Sequence, residues 1–245
     1  MERSASLVII PTFNECENVA KIIAAVLEQP TPFHVLIVDD SSPDGTADIV
    51  QQKIDADAQD RIHLLSRAGK QGLGTAYIAG FKWGLEHGYD YLFEMDADFS
   101  HNPTDLNRMQ KILNNEPADV VVGSRYTAGG NVENWPRDRI MLSYGASLYV
   151  RMITWMPVKD PTAGFVGYKR AVLEDIPLDK IRFVGYAFQI EMKYAAHTRG
   201  FRIREIPITF VDRVEGVSKM SSGIIHEAIF GVLKIRMKGL IGQYP

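Results

Sequence analysis

The chain has 245 residues, enough for one large α/β domain or two small ones with a substantial core. A net charge of −3 excludes nucleic-acid binding driven by overall charge. The single cysteine, Cys16, excludes an internal disulfide and favours a reducing compartment. From Arg199 onward the charge turns basic, with eight Lys and Arg against four Asp and Glu in a chain that is acidic overall. That stretch fits either an anionic partner or a solvated helix face.

Taken in chain order, SLVII reads as a short buried strand, and PTFNECENV opens a helix. Asn14 with Glu17 forms the pattern of a capping box, and Val19, Ile22, Ile23, Val26 and Leu27 follow at helical spacing. HVLIVDD is a second strand, ended by the turn-rich SSPDGT. ADIVQQKI is a helix and IHLLS a third strand. GTAYIAGFKWGLEHG is a helix stopped by Gly88, and YLFEM is a fourth strand. Pro103 suits the first turn of the helix TDLNRMQKIL, and ADVVVGS is a fifth strand. Alternation of this kind predicts an α/β fold, with a mostly parallel sheet covered by helices on both faces.

Beyond residue 130 the pattern loosens. LSYGASLYVRMITWM reads as a helix, DPTAGFVGYKR as a loop leading into a strand, and YAFQIEMKYAAHTRG as a helix stopped by Gly200. FRIREIPITFV is a strand interrupted by Pro207. A final amphipathic helix is expected within 222–245, with Ile224, Ile225, Ile229, Val232, Leu233 and Met237 on one stripe beside Lys234, Arg236 and Lys238. It suits the interface of an anionic membrane or packing on its own domain. The division expected is a single domain, 1–245, with a nucleotide-binding half (1–130), an acceptor-side half (131–221) and this helix. MERSASLVII has too short an apolar run before Pro11 for a signal peptide, and no stretch is long enough to cross a bilayer. A cytoplasmic protein is expected, one that meets a lipid only from the surface.

Ligands of open parallel sheets bind beyond the carboxyl ends of the strands. Four polar clusters fall there: Pro11 to Glu15, Asp39 and Asp40, Asp96 to Ser100, and Gly123 to Tyr126. Asp96 and Asp98 in MDADFSHNP suit Mg²⁺ or Mn²⁺, which carboxylates share with substrate phosphates. The plainer alternative is an acidic turn with Asp98 capping the next helix. Asp40 can hydrogen-bond a ribose or base, or close an Asx-turn; Asp44 and Gly45 read as turn formers. Gly72 and Gly74 stand at a helix N-terminus where amides can face phosphate, although Tyr77 breaks the dinucleotide fingerprint and a tight loop is the better reading. Lys70 is within reach of an anion. Arg125, Arg213 and Lys219 are cations that would offset a diphosphate. His101 reads as structural, and acids on both sides of Cys16 leave that thiol inert.

PTFNE, DDSSPDGT, GLGTAYIAG, MDADFSHNP, GSRY, FQIEM and FVDRVEGVSKM, in this order, resemble the family-2 glycosyltransferases, and more narrowly the polyprenol (dolichol) phosphate mannosyltransferases. The resemblance implies a GT-A fold, a Mg²⁺ or Mn²⁺ ion, GDP-mannose as donor and a polyprenyl phosphate as acceptor, with inversion. It implies peripheral attachment to the cytoplasmic face of a membrane and permits a separate membrane-anchoring protein. Carried across, Pro11, Phe13, Glu15, Val38 and Asp40 would bracket the nucleotide. Asp96, Asp98 and the backbone at Ala97 would meet metal and diphosphate, with Ser100, or a water in place of its shorter side chain, as a third ligand where some relatives carry Gln. Arg125, Arg213 and Lys219 would contact the phosphates. Phe13 stands where many relatives have Tyr.

Glu191, with Gln189 beside it, is the candidate on the acceptor side. It is either a general base for a sugar-hydroxyl acceptor or the partner of a cation such as Lys193 or Arg202. UDP-glucose as donor, and a nucleotide-sugar-binding module without turnover, are the other readings.

Overall fold

The computed structural model describes residues 6–185, 187–212, 231–237 and 239. The strands are β1 (Ser6–Thr12), β2 (His34–Asp39), β3 (Ile62–Ser66), β4 (Tyr91–Glu94), β5 (Val120–Ser124), β6 (Asn131–Glu133), β7 (Val166–Lys169), β8 (Ile203–Pro207) and β9 (Thr209–Val211). The helices are α1 (Val19–Leu27), α2 (Thr46–Asp55), α3 (Leu73–Glu86), α4 (Asp105–Asn115), α5 (Arg137–Thr154), α6 (Arg170–Asp175) and α7 (Ala187–Thr198), and residues 231–237 are helical. The main sheet runs β3-β2-β1-β4-β7-β5-β8, and β6 pairs with β9 in a small second sheet.

The apolar strands are explained by two-sided burial. Successive side chains of a strand point to opposite faces. Leu7, Ile9, Leu36 and Val38 therefore join a core with Tyr77, Phe81, Phe188 and Met192 from α3 and α7. Val8, Ile10, Val35 and Ile37 join another with Val19, Ile22, Val50, Leu106 and Met109 from α1, α2 and α4. Helix α3 lies unusually close to the sheet: a Cβ at Gly80 would stand 2.5 Å from Ile9 Cγ2.

The predicted α/β alternation holds through β5. β7 is the exception in direction. It inserts between β4 and β5 and runs antiparallel to both, so the sheet is mostly parallel rather than wholly so. Pro207 ends β8 at the sheet edge, where a missing N–H costs no ladder bond.

The capping box does not form. The helix begins at Val19 with Asn18 as its N-cap. Asn14 is left-handed (φ 59) and its N–H donates to Ser42 Oγ at 3.0 Å. Helix α5 starts at Arg137, earlier than its apolar spacing implied, because Pro136 precedes its first turn.

Of the expected C-terminal helix, residues 231–237 are described. Val232 and Ile235 are buried with Val150, Ile190 and Tyr194, so this part packs on its own domain along one face. Leu233 and Met237 face outward, 40% and 67% exposed. No helix among the described residues is long and apolar enough to cross a membrane.

Candidate active site

The carboxyl ends of β1, β2, β4 and β5 bring the four polar clusters to one edge. Around the first two clusters most polar groups are spent on the fold. Asp39 accepts hydrogen bonds from Thr12 Oγ1 (2.8 Å), Ser42 N (2.9 Å) and Ser42 Oγ (2.6 Å). Asp44 accepts from Thr46 Oγ1 (2.6 Å), Thr46 N (3.0 Å) and Cys16 N (3.1 Å). Burial raises the Asp44 pKa, but the donors from Thr46 and Cys16 outweigh it and hold the carboxyl at about 2. The same carboxylate raises the Cys16 thiol, chiefly by hydrogen bonding, in keeping with an inert cysteine.

Asp40 is buried in a two-point pair with Arg67, whose Nε and Nη2 donate at 2.6 and 2.8 Å. Arg67 Nη1 also donates to Thr75 Oγ1 at 2.8 Å. The Asp40 carboxylate is thus fixed in place, with its charge compensated by Arg67. Lys70 Nζ stands 5.1 Å over the Phe13 ring, which puts a cation beside the Pro11–Glu15 cluster; there Glu15 accepts from Asn18 Nδ2 (3.1 Å) and Val38 pairs with Pro11. Gly74 does not offer its amide to a phosphate, because that N–H donates to Val184 O at 2.9 Å. Its missing side chain instead makes room for Phe188, 2.7 Å from where a Cβ would sit.

Asp96 and Asp98 follow β4 in the turn that leads to α4. The side chain of Asp96 is 37% exposed, and Tyr77 Oη, anchored on α3, donates to its Oδ1 at 3.4 Å. Asp98 accepts from Ser100 N at 3.1 Å. Phe99 between them is left-handed (φ 58), a conformation unfavourable for a bulky residue and found where surroundings over-determine it. His101 is buried, stacked on Phe165 (4.9 Å) with Phe210 edge-on (5.6 Å). The Asp96 N–H donates to its Nδ1 at 3.3 Å. Burial pushes this imidazole down to about 4, against Asp98, which opposes the shift. A neutral ring that props the aspartate backbone is the structural role expected of it.

The residues fit a hard divalent cation. Two carboxylates and a hydroxyl are oxygen donors, and the buried Ser100 Oγ meets no hydrogen-bond partner among the described residues. No cluster of three His, Cys, Asp or Glu occurs among the described residues; Mg²⁺ commonly takes one or two carboxylates and completes its shell with water and substrate phosphates.

Arg125, at the end of β5, is held more tightly than an ordinary surface cation. Its Nε and Nη2 donate to Asp160 Oδ2 and Oδ1 (both 2.8 Å), and Nη2 also reaches Thr162 Oγ1 (2.8 Å). Asp160 is fully buried; desolvation pushes its carboxyl up, yet the Arg125 hydrogen bonds and charge win and hold it below the usual range. Tyr126, Trp135 and Phe210 ring the guanidinium at 5.2 to 5.7 Å. Sequence reasoning missed Asp160, which lies in a loop with no motif of its own. Arg213 and Lys219 lie outside the described residues. The strand before them passes the acids: Val211 N donates to Ser100 O at 3.3 Å.

Glu191 is buried, and its Oε2 accepts from the N–H groups of Arg182 and Phe183, both at 2.9 Å. It anchors that loop; Arg202 pairs instead with Asp119. Gln189 faces β4, where its Nε2 donates to Glu94 Oε2, while Lys193 Nζ donates to Gln189 Oε1 (3.2 Å) and Ala163 O (2.6 Å). Burial pushes the Glu94 carboxyl up and the Lys193 ammonium down, each countered by the other's charge. This buried chain from β4 to α7 was not foreseen: Lys193 sits among apolar neighbours in sequence, and only the fold shows it facing Glu94.

A parallel-sheet edge with paired acids is the kind of place where α/β proteins hold phosphate-bearing ligands. The match to known families is specific. The model of "Glycosyl transferase family 2" matches residues 7–177, and the chain belongs to that family. It is 46% identical over 238 residues to a polyprenol monophosphomannose synthase of Mycolicibacterium smegmatis, covering 97% of this chain and 89% of the relative. It is 45% identical over 238 residues to an undecaprenyl-phosphate mannosyltransferase of Micrococcus luteus, covering 96% of each.

Two solved structures share the fold. One is glucosyl-3-phosphoglycerate synthase from Mycobacterium tuberculosis with Mn²⁺, UDP and glucosyl-3-phosphoglycerate (TM-score 0.64, 14% identity, 98% of this chain and 79% of that one). The other is a mannosyltransferase from Pyrobaculum calidifontis with GDP-Man and Mn²⁺ (TM-score 0.58, 18% identity, 99% and 75%). The fold is of the GT-A type.

Proposed function

We propose that this glycosyltransferase moves mannose from GDP-mannose to a polyprenyl phosphate, with inversion at the anomeric carbon. The observation that carries the reading is the 46% and 45% identity, across nearly the whole chain, to relatives named for mannose transfer to such lipids. The Pyrobaculum mannosyltransferase, which shares the fold, holds GDP-Man, and this agrees with the same donor here.

An acceptor phosphate oxygen attacks C1 of the sugar, the bond from C1 to the GDP oxygen breaks, and GDP leaves with the electron pair. A phosphate monoester has a second pKa of about 6 and is largely ionised at neutral pH. The attack needs no protein base. The placement of Glu191 supports this, since its carboxylate is spent on two backbone donors in a buried loop.

Residues 1–130 form the donor side and 131–221 the acceptor side. Pro11, Phe13, Glu15, Val38 and Asp40 bracket the nucleotide. Asp96, Asp98 and Ser100 hold Mg²⁺ or Mn²⁺, with the Ala97 backbone beside them. When bound, that ion supplies positive charge to the departing diphosphate. Arg125, and by family resemblance Arg213 and Lys219, would contact the phosphates. Arg125 is preorganised by Asp160, which also offsets part of its charge, so Arg213 and Lys219 carry the larger share of the electrostatic clamp. The enzyme acts at the cytoplasmic surface of a membrane, alone or with a separate anchoring protein.

The test is a thermal-shift panel of nucleotide sugars with and without Mn²⁺, followed by transfer assays on Asp96→Asn/Asp98→Asn. GDP-mannose is expected to raise Tm only with metal, because a ligand stabilises the state it binds. The double variant is expected to lose turnover by at least about 10²-fold, as when a main charge-stabilising group is removed. A larger shift with UDP-glucose would replace the donor. Normal transfer by the double variant in chelator would overturn the mechanism.

A further inference from the structure

Helix α5 and its cap residue Trp155 carry an apolar stripe left largely exposed, in which Tyr144 stands edge-on to Tyr126 at 5.3 Å. Met141, Tyr144, Leu148, Met152 and Trp155 recur at three- and four-residue spacing and are 74%, 50%, 43%, 59% and 75% exposed. At helical periodicity they form one face. The inward face of the same helix is set by Ser147, Val150 and Thr154, which are buried. The stripe continues onto the neighbouring helical residues 231–237, where Leu233 and Met237 are exposed while Val232 and Ile235 pack inward against Val150.

Monomeric proteins rarely leave contiguous apolar surface of this kind without a use. Its chemistry is that of a bilayer interface rather than of a second protein core. Arg137, Arg151, Lys234 and Arg236 flank the stripe, with Asp138 the one acid on either helical stretch. Trp155 is held left-handed (φ 58) at the end of α5, mostly exposed, with the Arg236 guanidinium 4.6 Å over its ring. An amphipathic Trp with a cation beside it is the pairing that settles at headgroup level. A helix with an apolar face, cationic flanks and little acid lies in the plane of an anionic interface.

We propose that α5, extended by Leu233 and Met237, is the surface on which this enzyme docks on an anionic lipid bilayer. The inference rests on the lipid-acceptor reading and adds to it the surface that brings the acceptor side against the membrane. The burial of Val232 and Ile235 makes the C-terminal stretch a support for that surface rather than an anchor swung free of the domain.

The full chain and its Met141→Gln/Leu148→Gln/Met152→Gln variant are floated with vesicles of equal phosphatidylglycerol and phosphatidylcholine, and with phosphatidylcholine alone. The wild type is expected to float with the anionic vesicles and the variant to partition about tenfold less, through loss of apolar insertion. The metal-dependent GDP-mannose shift in Tm is expected to be equal in both, which certifies the variant's fold.

Equal flotation of variant and wild type, or a wild type that stays unbound, would overturn the docking surface and leave the transferase reading standing. A wild-type dimer in light scattering that the variant dissolves, with no flotation of either, would assign the face to a second copy and overturn the proposal. Absence of any nucleotide-sugar shift in the wild type would instead overturn the transferase reading on which the proposal rests.

Discussion

The turn after β2 and the buried interior between β4, β5 and α7 satisfy their charges in different ways. In the turn the partners are near in sequence: Asp39 takes the hydroxyl of Ser42, 3 residues on, and Asp44 that of Thr46, 2 residues on. In the interior they are far apart: Arg125 meets Asp160 across 35 residues, Asp160 N meets Glu205 across 45, and Gln189 meets Glu94 across 95. The first arrangement makes turns that would form in many folds. The second exists only when the whole sheet is assembled, so it reports on tertiary structure and fails with it.

The sharpest way to break this comparison is to remove one buried long-range partner. Asp160→Ala leaves the Arg125 guanidinium buried without its carboxylate, and such orphaned charges cost about 3–5 kcal/mol. Denaturant unfolding is expected to register that loss as a lower midpoint. The contrast is Asp96→Asn, which touches the half-exposed acid of the site and is expected to leave the midpoint unchanged or raise it, since two neighbouring carboxylates repel. Equal losses for both would mean that Asp96 is a structural acid, as Asp160 is.

The same distinction explains what was legible in the sequence. Short continuous apolar runs and helical apolar spacing located β1 to β5 and α1 to α4, because each of those elements buries enough apolar surface of its own to mark it. The acids at residues 96 and 98 were legible because a polar cluster after an apolar strand falls at a sheet edge whatever the details. The insertion of β7 between β4 and β5 was not legible, since a four-residue strand carries no directional signal. Asp160 and the Glu94–Gln189–Lys193 chain were hidden because nothing local marks them. At Gly74 the tight loop was the better of two readings because a glycine at a helix start serves close packing as well as phosphate, and here Phe188 takes the space.

A middle-sized effect tests the packing of the donor side. Gly80 on α3 sits where a Cβ would come within 2.5 Å of Ile9 Cγ2 on β1. Gly80→Val has to push the helix off the sheet, and overpacking of this kind costs about 1–3 kcal/mol. Gly88→Ala, with open space around it but φ 81, isolates the alternative cause, backbone strain without a clash. The expected order of unfolding midpoints is wild type, then Gly88→Ala, then Gly80→Val. A reversal would place the donor side's rigidity in its turns rather than in its helix–sheet contact.

The smallest effect lies at the far end of the sheet, where β2 and β3 begin. Tyr89 Oη bridges His34 Nδ1 (2.9 Å) and His63 Nε2 (3.2 Å), and the two imidazoles stack at 5.8 Å. Burial, then the charge of His63 and of Arg61, pushes His34 down to about 4, while Asp60 and Asp57 pull the other way. The folded state therefore binds its proton more weakly than the unfolded chain, whose histidine titrates at the ordinary value of 6.5. Stability from this contact is complete above that value and falls as pH drops from there toward 4. Because His34 is about half exposed, solvent screening reduces the loss to about 1 kcal/mol. His34→Gln is expected to flatten the fall in unfolding midpoint between pH 7 and 4.5 by that amount, without altering donor binding at the opposite sheet edge. An unchanged slope would move the acid sensitivity to the long-range buried pairs around Asp160 and Glu94.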